Sequence, residues 1–240
     1  MWPESGLGGY EVTSTTRSVV IGAACAVVVV AVGVGVLLMR GGAAGGASGG
    51  VAQAAPSKVV VVFAFPDEDN VVTAQLVATV DYATGAYQVE DTSATVSIPG
   101  TSYTMLRDAY PFGGAEAVAS ALADGKPVAG TAWVDVSPAA WTRLLKTGVE
   151  VTLTAPFDTF EDATDHYSEF IAGSQHVAAT DLWGLVNGAV YLDAQDRGAI
   201  RGALAAASLR ELVSTGPSQG ITTNLTAEQW AAFAKVLGRR

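Results

Sequence analysis

The protein has 240 residues, of which 50% are apolar, 15% are charged and 8% are aromatic, and its net charge is −10. Such a chain is too apolar to be disordered, and its length suits one large domain or two small ones. Because 21 acidic residues face only 11 basic ones after Arg40, without any Lys/Arg-rich stretch, the composition excludes direct nucleic-acid binding.

The first predicted element is a transmembrane helix at Val19–Met39. This run of twenty-one residues contains no acid, Lys, Arg or Pro. As a helix it would span ~31 Å, which matches a hydrocarbon core of ~30 Å. The one cysteine, Cys25, lies inside the run, so the rest of the chain can hold neither a disulfide nor a cysteine zinc site.

With one such helix, the chain is predicted to be a single-pass membrane protein. We expect a short cytoplasmic tail over 1–18, a Gly/Ala/Ser-rich linker over 40–57 and an extracytoplasmic domain over 58–240. One basic residue flanks the run on each side, Arg17 and Arg40, so the positive-inside rule hardly distinguishes the two orientations. The short N-terminal tail and the absence of cysteine from the domain favour a cytoplasmic tail and an extracytoplasmic domain. A signal peptide cleaved near Val51–Ala55 is the alternative, although the run is longer than a signal-peptide core.

The domain is predicted to contain both strands and helices. Short runs rich in β-branched and aromatic residues, bounded by turn residues, predict strands at Lys58–Phe65, Val71–Asp81, Ala86–Asp91, Thr95–Ile98, Gly130–Val136 and Glu150–Thr154. Helices are predicted at Ala115–Ala123, from Pro138 to a stop at Gly148, at Asp181–Tyr191, at Arg197–Val213, and after the capping box Thr226–Gln229. Helical spacing predicts that Trp141, Leu145, Trp230 and Phe233 are buried.

Strands alternate with helices along 58–240, which indicates an α/β fold. The predicted architecture is a single α/β/α sandwich domain with a mixed sheet, preceded by one N-terminal transmembrane helix.

The segment Leu106–Glu116 (LRDAYPFGGAE) resembles the LytR-CpsA-Psr family, which has an N-A-x-x-x-G-G motif before a helix. Asp108 replaces the asparagine of that motif. A helix, a short strand (Trp133–Val136) and a second helix (Ala139–Leu145) follow in the family's order. Gly173–Leu182 is similar to the segment before the family's arginine-bearing helix. The resemblance covers about Val59 to Leu212.

The resemblance implies a membrane-anchored protein that faces outward. Members of the family transfer glycopolymers from polyprenyl pyrophosphate to peptidoglycan or related acceptors. The charge of a departing pyrophosphate must be neutralised by arginines and by a magnesium ion held by acids.

Several positions at which the family carries a charged residue are occupied by uncharged residues in this chain. Keeping Asp81 in register places the family's metal-binding acid at Thr73, and its Ser-Ile-Pro-Arg motif falls on Ser97–Gly100, with Gly100 in place of the arginine. The family also has a D-x-x-R-x-x-R-Q motif, which aligns with Asp196–Ala203. Its two arginine positions are occupied by Ala199 and Gly202. Arg197 and Arg201 lie beside those places.

Two functions follow from this comparison. The first is a non-catalytic domain that needs no cofactor and binds a polyprenyl-linked or cell-envelope glycan, or an envelope protein, with Arg107, Arg197 and Arg201 as anion ligands. The second is an active phosphotransferase in which those arginines and the acids Asp67–Asp69 rebuild the charge clamp with magnesium.

The acidic cluster and the histidines give weaker indications of a functional site than the arginines do. Asp158, Glu161, Asp162, Asp165 and His166 form an acidic cluster without the spacing of a known metal loop, so a solvated loop is the preferred interpretation. His166 and His176, the only histidines, lack a metal-binding or catalytic motif. No nucleotide-binding loop and no hydrolase motif is present.

Overall fold

The computed structural model of the protein describes residues 54–123, 131–161 and 166–239. The predicted tail, the predicted transmembrane helix and the linker up to residue 53 lie outside these ranges. Within them, no helix is both long and apolar enough to cross a membrane.

A five-stranded mixed sheet forms the centre of the domain. Its strands are β1 (Lys58–Pro66), β2 (Val72–Asp81), β3 (Tyr87–Val89), β4 (Thr131–Val136) and β9 (Ile221–Thr223). The spatial order is β3-β2-β1-β4-β9, in which β1 and β4 are parallel and the other pairs are antiparallel. Two antiparallel pairs lie outside this sheet: β5 (Val149–Leu153) with β8 (Gly173–Val177), and β6 (Phe157–Glu161) with β7 (His166–Phe170).

Helices cover both faces of the sheet. In the described part of the chain the α-helices are α1 (Gly114–Leu122), α2 (Pro138–Leu144), α3 (Leu182–Gly188), α4 (Ala194–Thr215) and α5 (Ala227–Leu237). A 3₁₀ helix, Leu106–Phe112, precedes α1. Ser137 and the Thr226–Gln229 capping box start α2 and α5 as the sequence indicates.

Alternating side chains of β1 supply two separate cores. Val59, Val61 and Phe63 pack with α2, α4 and α5, whereas Val60 and Val62 pack with the 3₁₀ helix and α1. The predicted mixed α/β sandwich is therefore observed. The four aromatic and leucine positions predicted to be buried are all buried: Trp141, Leu145, Trp230 and Phe233.

The pairing of β1 with β2 contains one irregularity. Phe63 pairs with Leu76 and Ala64 pairs with Ala74, so Gln75 is an extra residue on β2. This is a β-bulge, which interrupts the alternation of side chains and can redirect one of them. Gln75 is buried, and its amide donates a hydrogen bond of 2.8 Å to the hydroxyl of Thr73.

Two expectations about the strands are wrong. The predicted strand Thr95–Ile98 forms only an isolated bridge between Thr95 and Met105. The stretch Phe157–Phe170, for which no strand is predicted, contains the paired strands β6 and β7. Both differences depend on which backbone segments pair with each other, and local composition does not encode that pairing.

Asp135 on β4 connects the 3₁₀ helix to the start of α1. The Tyr110 hydroxyl donates to its Oδ1 at 2.9 Å, and the Ala115 amide donates to its Oδ2 at 3.4 Å. Burial raises the pKa of Asp135 above its usual range, although both hydrogen bonds favour the charged form. The folded protein therefore holds this proton more tightly than the unfolded chain does.

This pKa shift predicts a pH-dependent stability. As the pH rises from about 4 through the raised pKa of Asp135, the contribution of this residue to the free energy of unfolding should fall and then become level, because the folded state loses a proton that the unfolded state has already lost. Asp135→Asn should remove this decrease from the pH profile of the urea midpoint. Identical profiles for the two proteins would contradict the prediction.

Candidate functional site

One end of the large sheet carries a cavity of about 350 Å³, which we call the arginine cavity. The carboxyl ends of β1 and β3 and the amino end of β2 meet there, because β2 is antiparallel to both neighbours. The structure brings the three candidate arginines and the three neighbouring acids together around this space. Its charged lining residues are Asp67, Glu68, Asp69, Arg107, Arg197 and Arg201.

Arg201 is held in place by the segment that follows β3. Its Nη1 donates to Oδ1 of Asp91 at 3.0 Å, and its Nη2 donates to the Thr92 hydroxyl at 2.8 Å. Hydrogen bonds from Ser93, together with the Arg201 guanidinium, lower the pKa of Asp91 to about 2. Asp91 is therefore ionised at neutral pH and balances the charge of Arg201.

The other two arginines have weaker partners. The side chain of Arg197 makes no hydrogen bond or ion pair with the described residues. Arg107 lies 3.6 Å from a carboxylate oxygen of Asp108, and its Nε is buried without a hydrogen-bond partner. Because this ion pair is longer than a hydrogen bond, the Arg107 guanidinium can donate to an anion in the cavity.

The first turn of α4 is fixed by its acids. Asp193 caps the helix by accepting a hydrogen bond from the Asp196 amide. Asp196 is buried and accepts hydrogen bonds from the amide and hydroxyl of Thr154 at 2.7 and 2.8 Å and from the Ala155 amide. These bonds lower its pKa. The helix start is thereby anchored, which places the next residue, Arg197, at the cavity.

The acids of the β1–β2 turn have structural partners as well. One carboxylate oxygen of Asp67 accepts the amides of Asp69 and Val71, at 3.0 and 2.9 Å, and so holds the turn. The carboxylate of Glu68 accepts the Tyr191 hydroxyl at 2.7 Å, and this bond raises the pKa of Tyr191.

The positions that correspond to family charges in the sequence comparison lie outside the arginine cavity. Thr73 is buried in β2 and accepts the hydrogen bond from Gln75. Gly100 is exposed in a turn with a φ of 77°. Neither residue lines the cavity, and neither Ala199 nor Gly202 lines it. After β3 the chain reaches the cavity at Thr92 and Ser93 instead.

The acidic cluster and the histidines form surface pairs. Asp158 accepts the Tyr167 hydroxyl at 2.8 Å, His166 lies 2.8 Å from Asp181, and His176 lies 2.7 Å from Glu150. Asp162, Asp165 and the Glu161 side chain lie outside the described residues. Among the described residues, no group of three or more His, Cys, Asp and Glu side chains is placed to hold a metal ion.

A second cavity, of about 440 Å³, adjoins the first, and we call it the aromatic groove. Its aromatic lining comes from β6, from α3 and from the short 3₁₀ turn after α3, and it consists of Phe157, Phe160, Trp183 and Tyr191. The sequence indicates an acidic cluster in this stretch, whereas the structure shows that its aromatic residues line a cavity. The hairpin pairing that places Phe160 beside α3 is a tertiary feature.

Comparison with solved structures places the domain among LytR-CpsA-Psr folds. A LytR-Csp2A-Psr enzyme from Actinomyces oris is 15% identical, with a TM-score of 0.55 over 77% of this chain and 76% of that chain. TagV of B. subtilis is 14% identical, with a TM-score of 0.49 over 78% and 81% of the two chains. TagT bound to LI-WTA is 15% identical, with a TM-score of 0.49 over 75% and 74%.

No family model matches the sequence, and no curated protein matches it significantly. The domain is LytR-CpsA-Psr-like in fold, which confirms the resemblance identified in the sequence.

Proposed function

We propose that this protein is a membrane-anchored, extracytoplasmic domain that binds the phosphate of a polyprenyl-linked or other cell-envelope glycan without transferring it. The observation that carries the proposal is that Arg107, Arg197 and Arg201 line one cavity although Arg107 is distant in the sequence from the other two. Guanidinium groups bind phosphate oxygens through paired N–H donors, and converging arginines are the usual form of such a site.

The charges in the cavity are suited to an anionic ligand. Asp91 neutralises Arg201, whereas Arg197 has no partner among the described residues and Arg107 has only a distant one. Arg107 and Arg197 can therefore donate to phosphate oxygens, while Asp67, Glu68 and Asp69 equal the three arginines in number. Arg201 keeps its position through Asp91 and Thr92, so it is preorganised as a third donor.

Binding without transfer is favoured by the groups at the expected catalytic positions. Thr73 is a buried hydroxyl, and Gly100 has no side chain and lies outside the cavity. Asp67 uses one carboxylate oxygen to hold its own turn. The acid and the arginine that the family carries at these positions are therefore missing, and transfer requires such charges to stabilise a departing pyrophosphate.

An active phosphotransferase is the second candidate, and the acids beside the arginines favour it. Asp67, Glu68 and Asp69 line the same cavity as the arginines, and this candidate requires magnesium there, although their side chains are not placed together as a metal-binding group. The Actinomyces oris protein of similar fold is an enzyme. Magnesium-dependent pyrophosphate cleavage or glycopolymer ligation by the purified chain, abolished by Arg201→Ala, would replace the binding proposal with this one.

Arg197→Ala tests the binding proposal directly. In a calorimetric titration with inorganic pyrophosphate, this variant should lose about 1–3 kcal/mol of binding free energy, because it removes a hydrogen-bonding cation that has no partner in the unliganded protein. The expected result is weaker binding and an unchanged thermal midpoint.

Arg210→Ala is the matched control. Arg210 lies on the same helix, α4, with a side chain that is 74% exposed and paired with its neighbour Glu211, outside the arginine cavity. It should bind pyrophosphate like the unmodified protein. Equal losses in both variants would indicate a general charge effect and would count against a built phosphate site.

The membrane anchor and its orientation are part of the proposal. They rest on the apolar run Val19–Met39 and on the Gly/Ala/Ser-rich stretch that follows it. Protease added to intact cells should cut within residues 41–57 and release the domain, because few side chains there are able to pack. Protection of the domain until the cells are lysed would indicate the opposite orientation.

A further inference from the structure

A third cavity, of about 450 Å³, lies between α4, α5 and the edge strand β3, and we call it the basic groove. It shares no lining residue with the arginine cavity or the aromatic groove. Arg210 is the one charged residue in its lining, and the apolar part of the lining consists of Tyr87, Ala206, Leu209, Val213 and Leu237. A cavity of this size with apolar walls is suited to an apolar group.

The rim of the basic groove is positively charged in an acidic protein. Lys235 and Arg239 are exposed at the end of α5, within two residues of Leu237. From Gln229 to Arg239 the chain contains these two cations and no acid, although the net charge of the whole protein is −10. Neither cation forms an ion pair with the described residues. The rim is therefore suited to an anionic partner.

The chain enters the domain on the same side as the basic groove. The side-chain amide of Gln229 on α5 donates to the carbonyl of Ala54 at 3.2 Å, and the Tyr82 hydroxyl donates to the carbonyl of Gln229 at 2.9 Å. Tyr82 lies in the turn from β2 to β3, and β3 begins at Tyr87, in the groove. The start of the domain is thus fastened to α5, which forms one wall of the groove.

The segment before Ala54 limits how far this side of the domain can lie from a membrane. Residues 41–53 connect Arg40, at the end of the apolar run Val19–Met39, to the domain. Even fully extended, they would span at most about 45 Å. With the run inserted in a bilayer, α5 stays within that distance of the lipid surface. Such tethering gives a high effective concentration, so that weak contacts are enough for docking.

We propose that the basic groove is a membrane-docking surface, in which Lys235 and Arg239 bind the headgroups of an anionic bilayer and the apolar lining receives part of an acyl chain. This inference rests on the membrane anchor of the proposed function and adds the face by which the domain contacts the lipid. Arg201 at the arginine cavity and Arg210 at the groove are ~13 Å apart along α4. Docking therefore keeps the arginine cavity near the lipid surface, where a lipid-linked ligand is located.

The test places an environment-sensitive fluorophore in the groove of the full chain. Cys25→Ala removes the one native cysteine, and Ala206→Cys, at an exposed position of the lining, carries the dye. The protein is reconstituted in vesicles of phosphatidylcholine, alone or mixed with phosphatidylglycerol. Only in the mixed vesicles should the emission shift to the blue, and high salt should reverse the shift by screening the charges. Both leaflets have the same composition, so either orientation of the chain gives this result.

Lys235→Gln combined with Arg239→Gln should lower the ratio of docked to free domain about fivefold for each cation removed. Arg143→Gln combined with Lys146→Gln is the matched control, because it removes the same charge from exposed positions outside the groove. The control should retain the blue shift. Thermal midpoints check that both variants fold, and a dye on Ser102→Cys, in an exposed turn outside the groove, should not respond to phosphatidylglycerol.

The outcomes separate the docking surface from the anchor. Equal emission in the two lipid mixtures, or a shift that persists without Lys235 and Arg239, would overturn the docking surface and leave the anchor intact. A chain that does not float with the vesicles would show that the anchor of the proposed function is wrong. A shift that appears without phosphatidylglycerol and grows with the amount of protein per vesicle would assign the groove to a second copy of the chain, which also overturns the proposal.

Discussion

Trp141→Ala is expected to lower the free energy of unfolding by ~3–5 kcal/mol. The indole of Trp141 is fully buried, and its ring lies 5.5 Å from those of Phe63 and Phe65. Its Nε1 donates a 2.7 Å hydrogen bond to the buried hydroxyl of Ser208 on α4. The truncation leaves a cavity at the centre of the larger core and an unpaired hydroxyl inside it.

Urea titration of the variant and the unmodified protein measures this loss. Trp141→Phe separates the two contributions, since it keeps most of the ring packing and removes the hydrogen bond to Ser208. We expect its effect to be about 1–3 kcal/mol and therefore smaller than that of alanine. A loss under ~1 kcal/mol for Trp141→Ala would show that the core tolerates the cavity, against the observed packing.

Gly148→Ala is expected to cost about 2–4 kcal/mol, from backbone strain and from steric overlap. Gly148 follows α2 with a φ of 78°, which only glycine adopts readily. An added Cβ would overlap the carbonyl oxygen of Val177 and would lie 2.5 Å from Nε2 of His176. Because one of these neighbours is backbone, β8 must move to accept the methyl group.

Gly202→Ala is the opposing control for Gly148→Ala. Gly202 lies inside α4, and a Cβ at that position meets no atom within 4 Å. Alanine there should stabilise the protein by about 0.5–1 kcal/mol, since glycine is a poor residue in a helix interior. A comparable loss of stability at both positions would indicate that the close contact around Gly148 is not what makes its substitution costly.

The sequence predicted elements whose signals are local. Ser137 before Pro138 marked the start of α2, and the spacing of Trp141 and Leu145 identified its buried face. Strands β8 and β9 were not predicted, because each is short and exists through pairing with a distant partner, β5 in one case and β4 in the other. The same non-local dependence explains why Thr95–Ile98 forms only a bridge.

The candidate site was predicted only in its residue types. The sequence identified three arginines that lie close to family motifs without occupying the motif positions: Arg107, Arg197 and Arg201. That they share a cavity follows only from the structure, in which the strand ends meet and the start of α4 is anchored. The placement of family positions before Gln75 relied on an unbroken register from Asp81. The bulge at Gln75 adds one residue to that count, and a comparison of sequences without gaps does not reveal it.

The extra residue in β2 also divides the strand into two parts with different packing constraints. Between Asp81 and Leu76 the strand keeps a strict register with Lys58–Phe63, because both cores depend on it. Beyond Gln75 the alternation starts anew, so the chain that leads to the acidic turn at Asp67 can gain or lose a residue without turning the apolar side chains outward. Residues can therefore be inserted or deleted between the acidic turn and Gln75 without disturbing the packing of the domain. We expect related proteins to differ in length there and to match closely over Leu76–Asp81.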